Sequence, residues 1–334
     1  MKQRHRLIAP MPPGPLDVVG DVHGELGLLE RLLERLGRDP VTLGPTGRRA
    51  AGRSLVFVGD LVDRGPDSVG VLRRVMPAVR ERRAFCVMGN HELNALRVPD
   101  AVDHSHWFHG GGVGPPTMPQ AVLPPEQRAD VLGFFRSLPL ALEREDVVAV
   151  HACWDAASAD RLRGADDPVD AWRRAHDLTP PGGWEAAVDP ADPAAADARL
   201  VRRNANPVRR LTAGPEHRAP HPFRIHDRVF RDARTPWWDA YAGPPYVIFG
   251  HYWRRPGETP AVGDPALPFG GHGPTDELGL PGSDGRRSAM CIDHCAGASW
   301  QRRPPAVAAG VAPIATGLSA FRWPERELVF VPGA

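Results

Sequence analysis

Residues 59–65, GDLVDRG, constrain this chain more than any other stretch. They end an apolar run, Leu55-Val56-Phe57-Val58, with two carboxylates and a guanidinium, Asp60, Asp63 and Arg64, set between two glycines. The run reads as a short buried strand, and the glycines permit a tight turn where a side chain would clash. Acids at the end of a core strand are costly to bury unless something partners them, and a metal ion does so. Two units of the same design flank this one. Leu16-Asp17-Val18-Val19 leads into GDVHG at 20–24, and Ala84-Phe85-Cys86-Val87-Met88 leads into GNHE at 89–92.

Helical patterns join the three units. Leu26, Leu29, Leu32, Leu33 and Leu36 share one helical face, with Gly37 as a C-cap. Val71, Leu72, Val75 and Val79 share another, with Asp67 or Ser68 near its start and Pro77 as a kink or early stop. Leu93 and Leu96 open a short third helix. The order β-α-β-α-β-α predicts parallel strands joined by right-handed crossovers. In such sheets ligands gather at the carboxyl ends of the strands, where all three polar loops fall.

Further along, a helix is expected over 125–138, a strand over 146–150 ending at His151, and a strand over 246–249 ending at Gly250-His251. Strand candidates at 288–293, 317–323 and 327–331 close the chain. Residues 99–125 read as a surface excursion in preference to a cover over the site. Residues 156–243 carry little regular pattern beyond helical pieces near 169–176 and 193–203 and a basic, aromatic piece at 224–238. Residues 254–287 form a second Pro/Gly-rich loop. A length of 334 residues admits two domains. One α/β domain over 1–334, with irregular insertions near 99–125, 156–243 and 254–287, is the preferred organisation.

The formal net charge of +1 gives no bulk electrostatic reason to expect a nucleic-acid or membrane partner. The basic residues are Arg apart from Lys2, which reads as a composition bias. No stretch approaches a transmembrane span, and the opening 15 residues lack the apolar run of a signal peptide. Cys86, Cys153, Cys291 and Cys295 are too few for a disulfide framework and read as buried thiols. A cytoplasmic protein is expected.

Asp21, His23, Asp60, Asn90, His91, His151 and His251 all follow predicted strands. Carboxylate, imidazole and amide oxygen together suit manganese, iron or zinc better than calcium or magnesium alone. One ion cannot use them all but two can, with Asp60 on the central loop as the bridging carboxylate. Two divalent ions about 3.5–4 Å apart can share a water, lower its pKa toward ~7 and clamp a phosphoryl oxygen for in-line attack. An imidazole that is not a ligand can then protonate the leaving oxygen. His91 is the candidate, with Asp63 to orient it and Arg64 to fork onto the phosphate. Taken singly, Asp21 or Asp60 is a turn former, His151 a satisfied core histidine and Arg64 a solvated charge. Three motifs in order, with two later strand-end histidines, reverse that balance.

GDVHG, GDLVDRG and GNHE, followed by VHAC at His151 and FGH at His251, resemble the phosphoprotein-phosphatase branch of the calcineurin-like metallophosphoesterases. The tail, CIDHCAG with LSAFRW, is similar to bacterial members related to diadenosine-tetraphosphatase and serine/threonine phosphatases. The resemblance implies a four-layer α/β/β/α sandwich of two mixed sheets with the site between them. It implies Asp21, His23 and Asp60 on one metal, and Asp60, Asn90, His151 and His251 on the other. It further implies His91 with Asp63 as the acid pair and Arg64 as a phosphate ligand. A second phosphate-binding arginine is expected among Arg224, Arg228, Arg231 and Arg234. His251 is followed by Tyr252 and Trp253, not by the second histidine of a GHxH motif, which favours the phosphatase over the phosphodiesterase arrangement.

The expected activity is therefore hydrolysis of a phosphorylated substrate by metal-activated hydroxide, with two divalent ions, manganese preferred and iron or zinc as alternatives. Phosphate monoesters, on protein or small molecule, rank first. A dinucleoside-polyphosphate hydrolase ranks second, and a non-catalytic metal-stabilised binding protein is the alternative outside catalysis.

Overall fold

A computed structural model of the chain describes residues 6–98, 102–110, 120–177, 193–225, 228–254, 280–281, 287–297 and 316–333. The three opening strands, Leu16–Val19, Ser54–Phe57 and Ala84–Cys86, lie side by side and parallel, as the alternating pattern predicts. Their sheet is completed by Gly317–Trp323, antiparallel to Leu16–Val19, and by Glu327–Pro332 at the edge. A second sheet of six strands runs in the order Ile8–Pro10, Ala141–Glu143, Val147–Val150, Tyr246–Phe249, Arg287–Cys291 and Leu280–Pro281. It too is mixed: Val147–Val150, Tyr246–Phe249 and Arg287–Cys291 are mutually parallel, and Ala141–Glu143 is antiparallel to Val147–Val150 and parallel to Ile8–Pro10.

Alternation along each strand divides the core into layers. Leu16, Val18, Val56 and Val58 of one sheet meet Val147, Ala149, Ile248 and Met290 of the other. Tyr246 stacks on Trp323 across this seam, with ring centroids 4.9 Å apart. Residues of opposite parity, Val19, Leu55 and Phe57, face outward onto the helices Leu26–Leu36 and Ser68–Arg80. On the far side Val148, Val150 and Phe249 pack with Leu162, Leu211, Trp237 and Trp238. The result is a four-layer α/β/β/α sandwich. Gly37 caps the first helix in a left-handed conformation, φ 77°, and Asp67 caps the second by accepting from Gly70 N at 2.6 Å. That second helix runs through Pro77 to Arg80, one turn past the residue expected to kink or stop it.

Asp17 takes the outward parity in the first of these strands and is completely buried. It accepts from Arg38 Nη2 at 3.1 Å and Arg53 Nε at 2.7 Å, and Arg322 Nε lies 3.4 Å away. One carboxylate thus gathers guanidiniums from three separate segments of chain.

Two stretches are more ordered than their composition suggests. Within 99–125, helix Val102–His109 buries Trp107 and Phe108 completely or nearly so. Two adjacent aromatics in a turn-rich stretch give no period to read. Within 156–243, four helices, Ala156–Leu162, Pro168–Asp177, Pro193–Ala205 and Pro207–Ala213, precede an antiparallel hairpin, Glu216–Ile225 with Arg228–Arg234. The second and third of these helices match the helical pieces read near 169–176 and 193–203, whereas Ala156–Leu162 and Pro207–Ala213, at 7 residues each, are too short to show an apolar stripe. The loop at 254–287 lies outside the described residues apart from Arg254 and the strand ends at 280–281 and 287. All four cysteines are free and buried. Among the described residues no helix is long and apolar enough to cross a membrane.

Candidate metal centre

Every candidate residue sits just past the carboxyl end of a strand, three loops coming from one sheet and two from the other. The backbone there is unusual. His23, Asp60, Asp63, Arg64 and His251 all have positive φ, between 47° and 71°. Side chains are disfavoured in this left-handed region, so five such residues in one place report a backbone bent to aim side chains. Two glycines make the approach possible. A Cβ on Gly89 would fall 2.2 Å from Asp60 Oδ1, and one on Gly250 would fall 1.9 Å from Asp21 Oδ1.

Asp60 lies at the centre. Its Oδ1 accepts from His91 N at 3.0 Å and is 3.4 Å from His151 Nε2; its Oδ2 is 3.5 Å from His23 Nε2. Among the described residues two groups bring three ligand atoms within 4.8 Å of one another, His23-Asp60-His91 and Asp60-His151-His251, and Asp60 belongs to both. Backbone carbonyls fix the ring tautomers. His151 Nδ1 donates to Val58 O at 2.7 Å and His23 Nδ1 to Val62 O at 3.0 Å. A carbonyl only accepts, so Nδ1 carries the proton in each ring and Nε2 is the atom turned into the site. Around His151 Nε2 then stand Asn90 Oδ1 at 3.1 Å and His251 Nδ1 at 3.2 Å. Buried lone pairs and carboxylate oxygens converging in this way repel one another until a cation takes them up, and imidazole, amide and carboxylate together fit divalent transition metals.

The acids report the same electrostatics. Burial pushes the Asp21 carboxyl well above its ordinary value, and Asp293 and Asp60 push it further. Asp21 Oδ2 accepts from His251 N at 3.0 Å, while its buried Oδ1 has no hydrogen-bond partner. Asp293, also buried and with Oδ2 unpartnered, is itself raised, chiefly by burial. For Asp60, burial acts upward but the His151, His91 and His23 rings outweigh it, and the carboxyl is held well below the usual range. Burial, with Arg64 for His23 and Arg234 for His251, keeps both imidazoles neutral far below their usual titration.

His91 Nδ1 lies 2.5 Å from Asp63 Oδ2, and its Nε2 lies 3.3 Å from Arg64 Nη2. Burial pulls this imidazole down, but the charges of Asp60 and Asp63 raise it overall. The Arg64 guanidinium lies over the Trp253 ring, 5.4 Å from its centroid. Of the four arginines left open by the sequence, Arg234 is the one the structure brings to the site. Its Nη1 donates to His251 O, and its charge acts on His251 and on Asp293. Arg231 is exposed, and the side chains of Arg224 and Arg228 lie outside the described residues.

Asp21 belongs to neither three-atom group, although the sequence set it beside His23 and Asp60; His91 takes that place. Glu92 is not the neutraliser of Arg64 that its position in GNHE allows. It faces the other way and accepts from Asp60 N and Gly89 N, both at 2.9 Å, and from Leu61 N at 2.7 Å. Asp293 was missed as an individual residue, though CIDHCAG drew attention to its stretch.

A family model described as calcineurin-like phosphoesterase matches residues 14–252. The asymmetrical bis(5'-nucleosyl)-tetraphosphatase of Oceanobacillus iheyensis is 45% identical over 76 residues, 23% of this chain and 30% of that one. The symmetrical bis(5'-nucleosyl)-tetraphosphatase of Methylococcus capsulatus is 34% identical over 158 residues, 45% of this chain and 49% of that one. The chain thus spans from under a third to about half the length of the curated relatives it matches. A crystal structure provisionally assigned as a diadenosine tetraphosphatase is similar over 99% of both chains, with 18% identity and a TM-score of 0.45.

Proposed function

The chain belongs to the calcineurin-like phosphoesterase family, and from that premise we propose that it hydrolyses a phosphate anhydride in dinucleoside polyphosphates at the Asp60 centre, as a single catalytic domain over 1–334. The observation that carries the reading is one buried carboxylate shared by two converging ligand groups, flanked by two guanidiniums and an imidazole–carboxylate pair. The names of the relatives favour the anhydride over the phosphate monoester that the sequence ranked first. They include both asymmetrical and symmetrical enzymes, so the bond cleaved is read from the products. A non-catalytic binding protein is disfavoured because neither the ligand set nor the acid pair is depleted.

In this reading Asp60, His23, Asp21, Asn90, His151 and His251 hold two divalent cations, manganese in preference to iron or zinc. Such cations neutralise the charge of a phosphoryl group and acidify water. Arg64 and Arg234 grip the oxygens of the polyphosphate, and the planar fork of each suits two oxygens at once. His91 gives a proton from Nε2 to the leaving oxygen while Asp63 holds Nδ1. A second arrangement, with His91 as a ligand in place of Asp21, is favoured by the three-atom group His23-Asp60-His91.

Metal content of His91→Ala separates the two. A proton donor can be removed with both ions retained, whereas loss of an ion identifies a ligand. Donor loss should slow alkyl phosphates by about 10²–10⁴-fold. It should slow a polyphosphate less, because a phosphate leaving group needs less help. The substrate is tested with manganese-loaded protein on diadenosine tetraphosphate, a phosphopeptide and p-nitrophenyl phosphate, with products separated by chromatography. The tetraphosphate should give the highest kcat/KM, and EDTA should abolish all three activities. A phosphopeptide turned over more efficiently would overturn the anhydride reading, and full activity after EDTA would overturn the metal reading.

A further inference from the structure

The helix Val102–His109 carries a residue that touches the acid pair directly. Trp107 is completely buried, and its indole Nε1–H donates to Asp63 Oδ1 at 2.5 Å, while the other oxygen of the same carboxylate is 2.5 Å from His91 Nδ1. The surrounding segment is tied to the same loop. Leu123 N donates to Trp107 O at 2.7 Å, Gln120 Nε2 donates to Gly65 O at 3.0 Å, and Ala121 N donates to Pro66 O at 3.2 Å. Two of these bonds land directly after Asp63 and Arg64, both in left-handed backbone conformations at φ 71° and 68°.

We infer that Trp107 is a positioning residue for proton transfer: its indole N–H fixes the rotation of the Asp63 carboxylate so that the second oxygen holds His91 with Nε2 turned into the site. The chemistry of the donor supports this role. Indole N–H donates and cannot accept, so it satisfies one carboxylate oxygen without competing for the proton of His91. A carboxylate anchored at one oxygen loses a rotational freedom that would otherwise be shared by the whole pair. A buried indole also needs an acceptor, and a tryptophan placed for packing alone could meet a backbone carbonyl. Here it meets the carboxylate that holds Nδ1 of the proposed acid. The helix that delivers it and the residues 120–123 tied to the same loop thereby belong to the site, as a brace behind GDLVDRG.

The inference rests on the assignment of His91 as the acid, so Trp107→Phe and His91→Ala are compared in one experiment on manganese-loaded protein. Metal content, the thermal midpoint, and kcat and KM for p-nitrophenyl phosphate and an alkyl phosphate are measured. Trp107→Phe keeps the ring and loses the N–H. It should retain both metals and KM, and lower kcat for the alkyl phosphate by about 10–100-fold, the usual cost of losing an orienting partner. The loss for p-nitrophenyl phosphate should be several-fold smaller, a dependence on the leaving group that a purely structural defect would not produce. Equal losses for both substrates, or none, overturn the inference. A leaving-group-dependent loss in His91→Ala without one in Trp107→Phe sinks the role of Trp107 alone. Parent rates in His91→Ala sink both assignments.

Should Trp107→Phe not fold, the parent protein still decides. Among the indole N–H resonances of its nine tryptophans, one should lie downfield and move upfield in Asp63→Asn. If no indole resonance moves, no indole is held by that carboxylate.

Discussion

Glu92 offers the sharpest test of how the site is built, because replacing it disturbs two loops without removing a proposed metal ligand. Its carboxylate, buried and fully inaccessible, accepts three backbone N–H groups, from Asp60, Leu61 and Gly89. Glu92→Ala strands all three. At about 1–3 kcal/mol for each unsatisfied buried donor, the cost is about 3–9 kcal/mol, set against a whole-protein stability of about 5–15 kcal/mol. Water entering the vacated space should bring it to the lower part of that range. Glu92→Gln is milder. Its amide oxygen can face Asp60 N and Gly89 N together, which leaves only Leu61 N opposed to the NH2 group, a cost of about 1–3 kcal/mol. Glu92 is also raised in pKa, by burial and then by the Asp60 charge. A neutral amide relieves that repulsion, so Gln should cost less in metal-free protein than in metal-loaded protein, where cations already offset it. Urea unfolding at pH 7.5, with EDTA and separately with manganese, reads all four numbers. If Glu92→Ala lies within about 1 kcal/mol of the parent in both conditions, or if Gln costs as much as Ala, the reasoning fails.

Three further outcomes follow from the same structure. Arg64→Ala and Arg234→Ala should each weaken inhibition by inorganic phosphate while metal content is kept, and Arg64→Lys should recover only part of the loss, because Lys cannot fork; unchanged inhibition in either alanine variant would remove that residue from the phosphate site. His23 is held neutral, its folded pKa well below 6.5 through burial and Arg64. The unfolded chain therefore takes up the proton first, and the contribution of His23 is present above about pH 6.5 and lost as pH falls below it. The metal-free parent should thus lose more stability than His23→Asn between pH 7.5 and 5.5 by urea unfolding, and parallel losses would contradict the assignment. Asp17→Asn, which leaves Arg38, Arg53 and Arg322 crowded without their shared charge, should cost about 3–5 kcal/mol with metal content unchanged after refolding; a cost under about 1 kcal/mol would show that the cluster is solvated.

What was legible in the sequence is what local pattern can carry. Gly-flanked acids after apolar runs gave the strand-end loops, and the βαβ alternation gave their parallel order. The pattern could not give the partners that act across the fold. Trp107 reads as part of a Pro/Gly-rich excursion because its role depends on a carboxylate 44 residues away. Glu92 looks like a surface acid at the start of a helix, and only the approach of two loops turns it inward. Arg234 stands in a run of arginines whose spacing is alike; pairing in the hairpin decides which one reaches His251. Asp17 breaks an apolar run and invites no explanation until three distant guanidiniums surround it.

The two sheets contribute to the centre in a way that also orders events during chain synthesis. Val58 of the first sheet accepts the proton of His151 from the second, and Asp21 of the first accepts the amide of His251 from the second. The opening parallel sheet is not complete either, since Gly317–Trp323 pairs with Leu16–Val19 some 300 residues earlier. Contacts of such long sequence separation close late and slowly. A nascent chain that has emerged through residue 98 therefore carries GDVHG, GDLVDRG and GNHE but only one of the two ligand groups, and an edge strand left open for pairing. The Asp60-His151-His251 group is assembled only once residue 251 has folded back. The half-built centre lacks His151 and His251, and the whole one exists only where the two sheets are docked.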